Sequence, residues 1–136
     1  MNTQSENPLV SIITPCYNTE KYIKSYINKI LKQTYNNIEL VFINDGSTDK
    51  TEDIIKKETK KIQRRGYKLV YKKKKNGGVG SAVNLGLKLM TGELFCWCDC
   101  DNFYEDNYVE KNVEVFINNP YCNIVRVDGN MNHEED

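Results

Sequence analysis

The stretch ELFCWCDCDNFY, residues 93–104, alternates Cys96, Cys98 and Cys100 with Trp97, Asp99 and Asp101. Residues of these types at this spacing can make a thiolate metal centre, a disulfide cluster, or a pair of carboxylates offered to a ligand. In an extended strand, side chains two positions apart share a face. One face then carries the cysteines and the other ends in Asp99 and Asp101. Structural zinc sites place their cysteines roughly two to four residues apart on a turn and add a second ligand pair. No such pair exists here, and His133 is the single histidine. Five cysteines is an odd number, and Cys16 and Cys122 lie far from the triplet, so no disulfide framework is spaced along the chain. The cysteines read as small buried apolar side chains.

The carboxylates carry more. Two hard oxygen ligands without a histidine or thiolate partner suit Mg²⁺ or Mn²⁺, which keep several waters and bridge to substrate phosphates. A D-x-D triplet alone is weak, because aspartate also favours turns. Asp45, in NDGS, is a further carboxylate. It reads either as an Asx-turn or helix cap, or as an acceptor for a nucleobase N–H. Tyr17, after Pro15, is either a core aromatic or a ring on which a base stacks. A dinucleotide-binding G-x-G-x-x-G belongs after the first strand. Here Gly78 and Gly80 follow the third, and the last required position is Val83. No segment supplies a P-loop.

These residues need elements to position them. LVSIIT (9–14) is rich in β-branched residues and reads as a strand. Tyr22, Ile23, Tyr26, Ile27, Ile30 and Leu31 recur at helical spacing. IELVFI (38–43) is a second strand, followed by a helix from about Thr51 to Arg65, with Ile54, Ile55 and Ile62 inward and Gly66 past its end. YKLVYK (67–72) is a third strand, KKKNGGVG a loop, and SAVNLGLKLMTG a short helix burying Ala82, Leu85 and Leu89. ELFCWC (93–98) is a fourth strand, EDNYVEKNVEVFINNP a helix stopped by Pro120, and CNIVRVD a fifth strand. Alternating strands and helices imply a three-layer α/β/α domain with a mostly parallel sheet and right-handed crossovers. Ligands of such sheets bind beyond the carboxyl ends of the strands. TPCYN, NDGS, KNGGVG and DCDN all fall there.

Composition agrees with one soluble domain: 136 residues, 39% hydrophobic and 28% charged, with zero formal net charge. Residues 1–8 read as a tail, 9–128 as the domain and 129–136 as a second tail. No apolar run approaches the ~20 residues of a membrane span, and MNTQSENP lacks the parts of a signal peptide, so a cytoplasmic location is the expectation. Zero net charge implies no nucleic-acid partner. KKETKKIQRR (56–65) and KKKK (72–75) read as a solvated helix face and a solvated loop. Attraction to phosphates, or peripheral attachment to an anionic membrane face, is the alternative.

VSIITPCYNTEKYI, IELVFINDGSTDKT, NGGVGSAVNLGLKLMTGE and CDCDN, in this order, resemble the nucleotide-binding part of a family 2 glycosyltransferase with the Rossmann-like GT-A fold. The resemblance covers roughly residues 9–105. It implies metal-dependent, inverting transfer of a sugar from a nucleotide diphosphate donor, most often a UDP-sugar, to a glycan or other acceptor, with cell-surface polysaccharide synthesis as the setting. By position, Thr14, Pro15 and Tyr17 would line the base pocket with Glu20 beside it, and Asp45 would bind the uracil edge. Asn76, Gly77 and Ser81 would approach base and phosphates. Asp99, Cys100 and Asp101 would serve ribose, diphosphate and a Mn²⁺ or Mg²⁺ ion, with Asp99 and Asp101 as metal residues and Asp101 favoured as the direct ligand.

Two positions depart from the family pattern: Val83 stands where arginine is common, and Asn102 where an aspartate often follows. The family draws its acceptor site and general base from a following half, so the catalytic base is unknown. The chain is expected to bind donor nucleotide and to transfer no sugar alone. A nucleotidyltransferase and a non-catalytic nucleotide- or sugar-binding module remain as alternatives.

Overall fold

A computed structural model describes residues 6–119 and residue 121. Four strands and four helices alternate: β1 (Val10–Cys16), α1 (Ile23–Ile30), β2 (Ile38–Asp45), α2 (Thr51–Arg64), β3 (Lys68–Lys74), α3 (Val79–Leu89), β4 (Leu94–Trp97) and α4 (Tyr108–Asn118). The strands form one sheet in the order β3-β2-β1-β4, with every pairing parallel. The α/β architecture with a parallel sheet therefore stands as expected. The expected fifth strand, and the boundary after residue 128, lie outside the described residues.

The two central strands are apolar on both faces because helices cover both. Ile12, Leu40 and Phe42 pack into a large cluster with Ile23, Ile27 and Ile30 of α1, Ile55 and Ile62 of α2, and Val109 and Val113 of α4. Ile13, Val41 and Ile43 point the other way, onto Ala82 of α3 with Leu85 and Leu89 beside it. That alternation along adjacent strands yields the three layers. Besides Asp45 at the end of β2, one carboxylate is buried within the strands, Glu39. Ser11 Oγ donates to it at 2.7 Å, and Thr91 donates from its amide at 2.9 Å and its hydroxyl at 2.8 Å. Burial alone would push the Glu39 carboxyl up, but these three donors hold it below the ordinary value of 4.5.

Three boundaries differ from the sequence reading. The first contacts of the domain come before Leu9, since Asn37 Nδ2 donates to the Asn7 carbonyl at 2.8 Å and Tyr35 Oη to that of Pro8. β3 runs through Lys74, so Lys72 stands in the strand as read, and Lys73 and Lys74 join it rather than the loop. Their register with Ile43, Asn44 and Asp45 supplies the ladder bonds that a sequence of four lysines conceals. α3 begins at Val79, ahead of Ser81, with Gly78 at φ +95° forming the entry. Among the described residues, no helix is long and apolar enough to cross a membrane.

Candidate functional site

The carboxyl ends of β1, β2 and β4 open into a cleft of about 330 Å³, within the roughly 300–1,000 Å³ of small-molecule sites. Pro15, Tyr17 and Asp45 line one part of it, and Asp99, Cys100 and Asp101 another. Cys16, Asn18, Thr19, Tyr22 and Val79 complete the wall. Of these five, Val79 lies in the Gly77–Ser81 loop expected at the site, and the other four were not given a role there. Parallel strands end on one edge, so loops that are distant in sequence meet there.

Asp45 is the most constrained member. Lys74 Nζ and the Gly77 amide donate to its Oδ1, each at 3.0 Å, and the Gly78 amide donates to Oδ2 at 3.0 Å. Asn76 Nδ2 donates to its carbonyl at 3.0 Å. Burial would push this carboxyl up, but Lys74 and the two glycine amides hold it below the ordinary 3.8. Of the two structural roles considered for Asp45, neither is the one observed. Asn44 makes the Asx-turn, its Oδ1 accepting from the Ser47 amide at 3.0 Å. Asp49 accepts from the Thr51 amide at the start of α2 at 2.9 Å. Asp45 instead ties the β2 end to the glycine loop after β3. Gly46, at φ +76°, permits this tie, because a Cβ there would lie 2.7 Å from the Asn76 nitrogen.

The loop after β1 is held equally firmly. Asn18 adopts φ +52°, a left-handed conformation that asparagine tolerates. Its Oδ1 accepts from the Thr48 amide at 2.7 Å, and its own amide donates to Ser47 Oγ at 2.9 Å. The ring of Tyr17 stays 52% exposed over the cleft, free to stack. Tyr17 is therefore not a core aromatic.

Five expected site residues stand apart from the lining. Thr14 is buried, its hydroxyl 2.7 Å from Tyr26 Oη, because its side chain points into the α1 side of the sheet. Glu20 turns toward α2, where its Oε1 accepts from the Lys50 amide at 2.9 Å. Asn76 and Gly77 serve the cleft through Asp45 rather than by lining it. Ser81 lies in the first turn of α3 beside Gly77, where a Cβ on that glycine would be 3.0 Å from its Oγ. Lys74, through its contact with Asp45, is the cleft-supporting residue that sequence reasoning passed over. The one available signal was its strand register with Asp45.

At the other wall, the cysteine triplet turns inward. Cys98 and Cys100 are buried, Cys96 half-buried, and the Cys100 and Cys16 sulfurs meet at 3.8 Å across the cleft floor. Contact with Cys100, then burial, pushes the Cys16 thiol well above its ordinary value, so it stays protonated and unreactive. On the opposite face, Trp97 Nε1 donates to Asp99 Oδ1 at 3.0 Å. Tyr104 Oη accepts from the Asp99 amide at 3.0 Å, which fixes the turn. Asp101 is exposed, and its carboxylate has no hydrogen-bond or ion-pair partner among the described residues. Among those residues no group of three His, Cys, Asp or Glu side chains could hold a metal by itself. Two carboxylates fit an ion that takes its remaining ligands from water and phosphate.

A parallel α/β sheet thus carries aspartates at two strand ends and a glycine loop at a third. The family model for Glycosyl transferase family 2 matches residues 11–135, and the chain belongs to that family. It is 44% identical over 115 residues to an uncharacterized glycosyltransferase of Rickettsia typhi, covering 85% of this chain and 34% of that protein. Glycosyltransferase GlyG of Streptococcus pneumoniae is 35% identical, over 90% of this chain and 42% of its own length. Among solved structures, TarS 1–349 of S. aureus in complex with UDP superposes with a TM-score of 0.69 at 31% identity, over 81% of this chain and 32% of that 1–349 chain. The mannosyltransferase PcManGT of Pyrobaculum calidifontis, in complex with GDP-Man and Mn²⁺, gives 0.65 at 27% identity, over 72% and 29%. The fold is accordingly that of the GT-A glycosyltransferases. The chain spans about a third of the length of the first curated relatives it matches.

Proposed function

We propose that this chain forms the donor-binding part of a glycosyltransferase that moves a sugar from a UDP-sugar to a glycan acceptor, with inversion and with a divalent ion, Mn²⁺ or Mg²⁺. The observation that carries the reading is the opposition of Asp45 to Asp99 and Asp101 across one cleft, in a chain of this family whose fold matches UDP-bound TarS.

The geometry supports the following proposed roles. Asp45, ionised and immobilised by Lys74 and two backbone amides, accepts a hydrogen bond from the uracil imide. Tyr17 stacks on the base, and Pro15 shapes the floor. A carboxylate held in place before the ligand arrives loses little entropy on binding. Asp99, oriented by Trp97, and Asp101, free of protein partners, hold the ion. An ion held there would supply Lewis-acid stabilisation of the charge on the leaving diphosphate. Without it, both aspartates would repel that diphosphate. The setting proposed is cell-surface polysaccharide synthesis on the cytoplasmic side.

Titration calorimetry tests the reading. UDP binds in Mn²⁺ or Mg²⁺ and much more weakly in EDTA, and Asp101→Ala abolishes the difference. Equal UDP affinity in EDTA would overturn the role given to the aspartates. Asp45→Ala weakens UDP binding by about 1–3 kcal/mol, the scale of a charge-assisted hydrogen bond.

A further inference from the structure

Beyond Asp101 the cleft continues into a second groove of about 240 Å³, between α1 and the turn after β4. The two share Tyr22, Cys100 and Asp101. Its walls combine Lys21 and Lys29 with Ser25 and the ring of Phe103. Phe103 is 70% exposed, and Lys29 Nζ stands 4.4 Å from its ring centroid.

The lysines here differ from those of α2. Lys56 pairs with Glu52 at 3.5 Å and Lys61 with Glu58 at 3.7 Å, the ordinary neutralisation of a solvated helix. Neither Lys21 nor Lys29 has an ion-pair partner among the described residues. Asp101 is the one carboxylate in the groove wall, at the border with the cleft. An exposed aromatic ring with a cation held over it, a second cation and a hydroxyl therefore face one space. The C–H faces of a sugar ring pack on aromatic faces. Free ammonium groups pair with phosphate or carboxylate.

We propose that this groove binds a saccharide unit carrying an anionic group, phosphate or carboxylate, as the wall that this half contributes to an acceptor side completed by the family's following half. Calling the unit an acceptor rests on the donor reading above. The binding chemistry does not. The ring packs on Phe103 and Tyr22, and Lys21 and Lys29 take the anion. Asp101 sits at the donor border, so the anion belongs at the lysine end.

The test is an amide NMR titration of the 136-residue chain with four probes: a uronic-acid disaccharide, a sugar monophosphate, a neutral disaccharide and inorganic phosphate. UDP binding is followed separately. The uronate, the sugar phosphate or both shift the amides of Lys21, Tyr22, Ser25 and Phe103, and which of them does so names the anion. The neutral sugar and inorganic phosphate bind on the order of tenfold more weakly, each lacking one half of the recognition. Lys21→Ala with Lys29→Ala, and separately Phe103→Ala, lose most of the saccharide affinity while UDP affinity stays within twofold. Neutral sugar equal to the acidic ones, inorganic phosphate equal to sugar phosphate, or indifference to both variants would overturn the proposal. Loss of UDP binding with saccharide binding intact would count against the donor reading alone.

Discussion

Lys74 Nζ lies 3.0 Å from Asp45 Oδ1, across two parallel strands whose register sets the two residues side by side. The side chains are 18% and 5% exposed, so the pair is largely withdrawn from solvent screening. A double-mutant cycle, Asp45→Asn with Lys74→Met, followed by urea unfolding without ligand, gives a coupling of about 1–2 kcal/mol. Exposed pairs give roughly 0–1 kcal/mol. Coupling near zero would mean that the ammonium does not hold the Asp45 carboxylate in place.

The same carboxylates set the response to acid. Asp45 and Asp49 are held below the ordinary 3.8, and Glu39 below 4.5, by donors that outweigh burial. In each case the unfolded chain binds the proton more readily, so stability rises with pH through that window. The contribution is complete above about pH 4.5 and drains away as pH falls through the lower folded values. Urea unfolding between pH 7 and 3 shows the decline. Asp45→Asn and Glu39→Gln each flatten it, and unchanged slopes in both variants would contradict this assignment.

Gly86 marks the closest approach of α3 to the sheet. A Cβ there would lie 2.6 Å from Ile13 Cγ2, inside the smaller core cluster. Gly86→Ala costs about 1–3 kcal/mol as overpacking. Gly80, in the same helix, has nothing within 4 Å. Gly80→Ala is neutral or stabilises by up to about 1 kcal/mol through helix propensity. Comparable losses in both variants would show that α3 packs differently.

Trp97 is the single tryptophan, and its indole N–H contacts Asp99. If the ion sits at Asp99 and Asp101, paramagnetic Mn²⁺ added with UDP quenches Trp97 fluorescence, whereas Mg²⁺ supports UDP binding without comparable quenching. Asp101→Ala removes the quenching. Quenching that persists in this variant would move the ion elsewhere.

Cys16, Cys98 and Cys100 are buried. Sulfur contacts with Cys100 and Cys96 respectively, followed by burial, push the Cys16 and Cys98 thiols well up. Iodoacetamide at pH 8 labels these three in the native chain on the order of tenfold more slowly than in the urea-unfolded chain. EDTA leaves the melting temperature of the ligand-free protein unchanged. Rapid native labelling, or unfolding in EDTA, would restore a thiolate metal centre as the reading of the triplet.

Much of this architecture was legible in the sequence because it depends on short-range periodicity. Period-2 and continuous apolar runs marked β1 and β2, and period-3.6 spacing marked α1 and α2. β4 was legible as a strand, but not its place beside β1, outermost among the described strands, where Phe95 and Trp97 are half exposed. The lysine run hid the end of β3, because solvated charges read as loop when the ladder partner is unknown. The glycines were visible, yet their purpose was not. Gly77 and Gly78 offer amides to a carboxylate more than thirty residues away.

Residue types and spacing were thus sufficient for the layer order, the clustering of polar loops at one sheet edge and the two-carboxylate character of CDCD, since each follows from chain-local geometry. Tertiary structure alone decided which of those polar residues face one another. Thr14 turned to Tyr26, Glu20 to the start of α2, and Asp45 to Lys74 and the glycine loop. Such choices depend on strand order and register, which bring distant residues to hydrogen-bond range, and no local pattern encodes that distance.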